Sequence, residues 1–217
     1  MKSFIKLVFK TIVTLAALAM LAYFGWKYAI PKLEQKESKQ NKRQTEQKHQ
    51  EQKHQEIKQS KSYAVKKVSD GDTFEIEMDG KKEKVRMLGI DTPERHQSSK
   101  LDKDSERTGR DKETIKKLGE LAYKYVLKLI GGRKVILQSE PNGDDRDRYG
   151  RLLRYVYLED GTFVNLKIVE DGYANAYRRF NLSKQSEFIE AEKQARENKR
   201  GLWGDLKGLE FMEKQGK

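Results

Sequence analysis

The 217-residue chain has no cysteine, which excludes a disulfide framework, a cysteine-based zinc site and a thiol nucleophile. Histidine occurs only at 49, 54 and 96, too sparsely for a histidine-rich metal centre. Apolar residues are also scarce. At 35% hydrophobic against 37% charged, the composition is leaner than a compact domain of this length carries, so part of the chain lies outside any core. Long apolar runs are absent except for one near the start. What remains is carboxylate, hydroxyl and arginine chemistry on a chain of formal charge +12. A basic balance points to nucleic acid or an anionic membrane only once the charge is located. Residues 1–61 hold 13 basic and 5 acidic side chains, a net +8, whereas residues 62–217 hold 33 and 29, a net +4.

The single apolar run sets the first boundary. Between Leu7 and Ile30 the only charges are Lys10 and Lys27, and Thr11 to Trp26 is uncharged. Sixteen residues make about 24 Å of helix, which spans a hydrocarbon core of roughly 30 Å if the flanking lysines snorkel. Residues 1–31 are therefore expected to be a membrane anchor, one transmembrane helix over 7–30 with Tyr23, Trp26 and Tyr28 at an interface. The alternative is a signal peptide cleaved at Ala17-Leu18-Ala19 and a secreted product. Residues 32–61 collapse to Lys, Gln, Glu, Ser and Asn, with Glu46-Gln47-Lys48-His49-Gln50 repeated at 51–55. Such a segment has no face to bury and reads as a polar spacer.

From residue 62 to 217 the texture is that of a single domain. Residues 63–68, 73–78, 84–90, 134–138 and 152–158 alternate as strands, with Asp79-Gly80 a hairpin turn between the second and third. Ile115, Leu118, Ala122, Tyr125, Val126 and Leu129 recur at helical spacing, opened by Asp111 and closed by Gly131-Gly132. Two further helices are expected near 163–171 and 184–198. The fold class expected is α+β, mainly β: a five-stranded oligonucleotide-binding (OB) barrel with three helices.

Three clusters at turns and strand ends carry chemistry. Asp70-Gly71-Asp72-Thr73 is by itself a turn signal. Arg86-Met87-Leu88-Gly89-Ile90-Asp91-Thr92-Pro93-Glu94 runs off the third strand, where Pro93 holds Thr92 extended and oxygen donors converge. Arg146-Asp147-Arg148-Tyr149-Gly150-Arg151 places guanidinium forks, matched to phosphate oxygens, before the fifth strand.

Together with Arg200-Gly201-Leu202-Trp203, the order of these clusters from about Tyr63 to Trp203 closely resembles the staphylococcal nuclease (thermonuclease) family. The resemblance implies the OB fold and calcium-dependent hydrolysis of DNA and RNA, single strands preferred, with little sequence preference and 3′-phosphate ends. It makes Asp72 and Asp91 carboxylate ligands of Ca2+, joined by the Thr92 carbonyl. It makes Arg86, Glu94 and Arg151 catalytic, with Glu94 acting on the attacking water and both arginines on the phosphate. Arg148 and Tyr149 are matched to contacts with a neighbouring phosphate, and Tyr177, one residue out of register, to base stacking. Arg178 and Arg179 stand where a second tyrosine is expected, so backbone contacts are expected to replace part of the stacking. The polar segment 96–110, longer than in the best-known relatives, is expected to be a loop, with His96 a loop residue. The intact set of carboxylates and arginines favours an active enzyme over a catalytically inactive binding module, and with no obligate protein partner inferred a monomer is expected. The weak calcium affinity of such a site suits an extracellular domain on a membrane tether.

Overall fold

The computed structural model describes residues 2–29, with side chains from Lys10 to Lys27, and residues 60–204. The chain divides into two units, the first within residues 1–55 and the second from residue 56 onward. In the first, helix α1 covers Lys2–Phe24 and passes into a π-helical turn, Gly25–Ala29. Ile12, Val13, Leu15, Leu18, Met20, Leu21, Phe24 and Trp26 are all exposed. Among the described residues no helix is long and apolar enough to cross a membrane, and the expected transmembrane helix over 7–30 runs beyond the residues whose side chains are described. The expected spacer lies outside the described residues except for Ser60 and Lys61.

The second unit is built on a closed five-stranded barrel. Its strands are β1 (Ser62–Asp70), β2 (Thr73–Met78), β3 (Lys81–Met87), β5 (Lys134–Gln138) and β6 (Leu152–Leu158), in the order β1-β2-β3-β6-β5. Closure depends on β1, whose first residues pair with β5 and whose remainder pairs with β2. Two register shifts along β1 supply the bend. The β2–β3 hairpin turns at Asp79 and Gly80, both at positive φ (51° and 75°), as a two-residue turn of type I′ requires. A short strand β4 (Ile90–Asp91) leaves the barrel and pairs with β7 (Asn175–Ala176). The expected third strand is thus split at Leu88-Gly89, and Asp91 follows the break in the short strand β4.

Among the described residues four α-helices accompany the barrel where three were expected: α2 (Ser99–Thr108), α3 (Lys112–Ile130), α4 (Val164–Glu170) and α5 (Gln185–Glu197). Helix α3 begins as expected, with the Asp111 side chain accepting from the Thr114 amide (2.8 Å). Val126 and Ile130 at its C-terminal end join Phe74, Ile76, Val85, Val135, Tyr155 and Val156 in the barrel core. Each such buried side chain contributes about 1.5–3 kcal/mol. Leu118, Leu121 and Ala122 pack instead on Leu202 of a closing 3-10 turn (Gly201–Trp203), so the Arg200–Trp203 motif is a structural lock.

The extra helix α2 corrects the expectation of a loop over 96–110. Its signals are local: Ser98 caps it by accepting from the Leu101 amide (3.2 Å), Asp102 lies in the first turn, and Gly109 ends it in the left-handed conformation. Leu101 is its one fully buried apolar anchor.

Candidate active site

The β1–β2 turn and the β4 exit meet at one place. Asp72, nearly buried at the head of β2, accepts at Oδ1 from Thr73 Oγ1 (2.9 Å) and at Oδ2 from the Thr92 amide (3.2 Å) and hydroxyl (3.0 Å). Arg86, at the end of β3, forms an ion pair with Asp72 and reaches Asp91 Oδ1 (3.4 Å) and the Ile90 carbonyl (3.1 Å). The three residues expected to hold calcium are therefore brought together, with Arg86 among them. Burial works against the Asp72 charge, but Arg86, then Lys100, and the hydrogen bonds from Thr92 and Thr73 hold its carboxyl below the ordinary range.

Lys100, on the first turn of α2, was not among the expected site residues. Its ammonium lies 3.0 Å from Asp91 Oδ1 and 2.7 Å from the Thr92 carbonyl oxygen. Burial opposes its charge, yet Asp72 and Asp91 prevail and its pKa is raised. Among the described residues no group of three or more His, Asp or Glu forms a ready metal centre. The expected set has two carboxylates and one carbonyl, hard oxygen donors of the kind calcium takes. That this oxygen cluster has drawn both a guanidinium and an ammonium to itself shows that it favours a cation.

Asp70 adds a second negative group beside Asp72. Burial, then the Asp72 charge, pushes its carboxyl up to about 7, even though the Gly71 amide donates to Oδ1 (2.8 Å). A folded-state value above the ordinary 3.8 means the folded protein binds this proton more tightly than the unfolded chain. The associated stability is fully present below about pH 4 and is lost as the pH rises through 7. Asp70→Asn keeps the acceptor for Gly71 and removes the charge. In calcium-free buffer its stability advantage over wild type is expected to be about 1–3 kcal/mol larger at pH 8 than at pH 5, read from urea unfolding at the two pH values. An advantage that does not change with pH would refute it.

Glu94 is held by the entry to α2. Its Oε1 accepts from the amides of Arg95 (3.1 Å) and His96 (3.2 Å), and its Oε2 from Ser98 Oγ (3.1 Å). Behind it, α3 approaches so closely at Gly119 that a Cβ there would lie 2.7 Å from the Pro93 oxygen and the Glu94 carbonyl carbon. Gly119→Ala is expected to push the Pro93–Glu94 peptide outward and lower kcat about 10–10²-fold with little change in KM, since sub-ångström placement matters at a reacting group. Steady-state kinetics check this, and an unchanged kcat would show that α3 yields instead.

Arg151 sits on the opposite rim. Asp147 Oδ2 takes both its Nε and its Nη2 at 2.7 Å, and Nη1 lies 3.4 Å from Thr73 Oγ1, which itself donates to Asp72. Arg148 and Tyr149 project from the same turn; Arg148 Nη2 donates to the Tyr149 hydroxyl (2.6 Å), and Tyr149 is 67% exposed. Tyr177 hangs from β7 with its amide on the Gly89 carbonyl (2.9 Å), and its ring meets Phe180 at 5.7 Å. Phe180 is exposed and presents a second aromatic face three residues after Tyr177, a spacing visible in the sequence. Arg178 does not take that role. It forms an ion pair with buried Glu192 (2.6 Å), which also binds Arg196 (2.6 Å), and so ties β7 to α5.

Known proteins are similar to the chain over this domain. The family model described as staphylococcal nuclease homologue matches residues 84–205. The thermonuclease of Staphylococcus hyicus is 32% identical over 145 residues, which is 66% of this chain and 76% of that protein. The thermonuclease of Staphylococcus intermedius is 34% identical over 143 residues, covering 65% and 76%. An endonuclease of Bacillus subtilis is 33% identical over 136 residues, covering 62% and 57%.

Proposed function

The chain belongs to the staphylococcal nuclease family, and on that footing we propose that it is a calcium-dependent phosphodiesterase. It hydrolyses DNA and RNA, single strands preferred, with little sequence preference and 3′-phosphate products. The observation that carries this reading is the convergence of Asp72, Asp91 and the Thr92 carbonyl at one cation-attracting point, with Glu94 and Arg151 from separate turns beside it.

Calcium, when held by those three oxygens, supplies positive charge that draws a phosphodiester to the site. The protein's own groups do the rest. Glu94, oriented by two backbone amides and Ser98, accepts the proton of a water that bonds to phosphorus as the bond to the 5′ oxygen breaks. Arg151, braced by Asp147, and Arg86, braced at the carboxylate cluster, stabilise the charge that gathers on the phosphate oxygens. Arg148 and Tyr149 engage the next phosphate, and Tyr177 with Phe180 offers faces on which bases stack without sequence preference.

For location we propose attachment to a cell membrane through residues 7–30, with the barrel on the outer side. The exposed apolar side chains of α1 support attachment, and a donor set of only two carboxylates and one carbonyl, which binds calcium weakly, supports a compartment rich in that ion. Release after cleavage is the alternative. Protease shaving of intact cells tests this, because a nuclease domain degraded only after lysis faces inward.

The full chain is expected to digest single-stranded DNA and RNA in millimolar calcium and to stop when calcium is chelated. Digestion unaffected by chelation would defeat the calcium assignment, and absence of digestion under any condition would defeat the enzyme reading.

A further inference from the structure

Helix α2 brings one side chain into the heart of the site. We infer that Lys100 is an internal counter-ion that occupies the cation position formed by Asp91 and the Thr92 carbonyl and competes with calcium for it. This inference rests on the calcium reading above and concerns how the same site is regulated.

The geometry is specific. Of the three oxygen donors assigned to the metal, the Lys100 ammonium takes two, at 3.0 and 2.7 Å, and the third, Asp72, is paired with Arg86. Two carboxylates are thus matched by two fixed cations. The side chain is held there by more than its charge. Leu101, the next residue, is fully buried, and Ser98, two residues before, both caps α2 and donates to Glu94. Lys112 of α3 adds an ion pair to Asp102 at 2.7 Å. A lysine anchored in this way differs from a surface lysine that meets a carboxylate in passing, because the helix that carries the ammonium is itself docked at the site.

Two like charges cannot share one pair of ligands. Calcium reaches Asp91 and the Thr92 carbonyl only as the ammonium withdraws, so the observed affinity is the intrinsic affinity reduced by the cost of that withdrawal. The Ser98–Glu94 bond places the proton-accepting carboxylate at the entry of the same helix, so withdrawal of Lys100 and the setting of Glu94 share one mechanical element. Lys100 therefore sets a calcium threshold, keeping the carboxylates compensated in calcium-poor surroundings and releasing them when calcium is abundant.

The test is a calorimetric titration of the substrate-free full chain with calcium chloride, comparing wild type with Lys100→Met, Lys100→Gln and Lys100→Arg. Lys100→Met and Lys100→Gln are expected to bind calcium at least tenfold more tightly than wild type, and Lys100→Arg, which keeps the charge, to stay within about threefold of it. The two neutral variants differ in their ability to donate to the Thr92 carbonyl, so one of them serves if the other fails to fold. Equal affinity in all four proteins overturns the inference and leaves the calcium reading standing. Weaker binding by both neutral variants also overturns it, since Lys100 would then support the metal site. Calcium binding by none of the four removes the calcium reading, and the inference with it. Digestion that persists in chelator for wild type and is lost in Lys100→Met overturns competition in favour of a lysine acting in the metal's place.

Discussion

Glu94→Gln is expected to lower kcat on single-stranded DNA by about 10²–10⁴ and to leave stability within about 0.5 kcal/mol of wild type. The pairing of a large kinetic effect with a small structural one follows from how the carboxylate is held. Its Oε1 accepts from two backbone amides, and a glutamine carbonyl accepts from both in the same way. Its Oε2 meets Ser98 Oγ, a hydroxyl that accepts from an amide as readily as it donates to a carboxylate. The hydrogen-bond frame at the entry to α2 therefore survives, and only the capacity to take a proton from water is lost. Arg151→Lys is the companion. An ammonium keeps a pair with Asp147 but cannot present a planar fork to a phosphate while braced by a carboxylate, and a loss of about 10³ or more is expected. Measured kcat and KM with thermal melts decide both. A Glu94→Gln enzyme within threefold of wild-type kcat would remove Glu94 from proton transfer.

Much of this was legible in the sequence, and the parts that were not share a physical cause. Short alternating runs announced the five barrel strands, and Asp111 with Gly131 announced α3, because these signals are local. The parallel pairing of β3 with β6 was not legible, since Val85, Arg86 and Met87 meet Leu152, Leu153 and Arg154 only once the barrel closes. Helix α2 was read as a loop because alternating charges hide a helix with a single buried residue; its caps, Ser98 and Gly109, were the better signal. The carboxylates and arginines of the site could be found by motif. Lys100 could not, because a lysine in a polar segment looks solvated until the helix it rides is docked. Glu192 is the same lesson in reverse. Its ion pair with Arg178 spans 14 residues of sequence, while that with Arg196 lies within one helix, and together they turn an apparent backbone contact into a structural brace.

Asn165→Ala is expected to cost about 2–5 kcal/mol, a large part of the roughly 5–15 kcal/mol that holds a domain together. Asn165, on the first turn of α4, is completely buried in an otherwise apolar core. Its Oδ1 accepts from the Val156 amide (2.9 Å), and its Nδ2 donates to the Leu88 carbonyl (2.8 Å) and more weakly to the Arg154 carbonyl (3.3 Å). The Arg154 carbonyl keeps a partner in the Leu88 amide, so truncation orphans two backbone groups, the Val156 N–H and the Leu88 C=O, at about 1–3 kcal/mol each. The effect reaches the site through the chain itself. Leu88 opens the break between β3 and β4, and two residues later the backbone enters β4 and delivers Asp91. Loss of the Leu88 anchor is therefore expected to weaken calcium binding as well as folding, although Asn165 touches none of the site residues. Urea unfolding gives the first quantity, and calorimetry below the unfolding transition gives the second. Asn165→Asp separates the two roles of the amide: it keeps an acceptor for Val156 but, when ionised, cannot donate to Leu88, and it buries a charge besides. It is expected to be at least as destabilising as alanine at pH 8 and to recover at pH 5, where a proton restores the donor. A cost below about 1 kcal/mol for Asn165→Ala would mean that water replaces the amide, and that the break between β3 and β4 is held by the barrel alone.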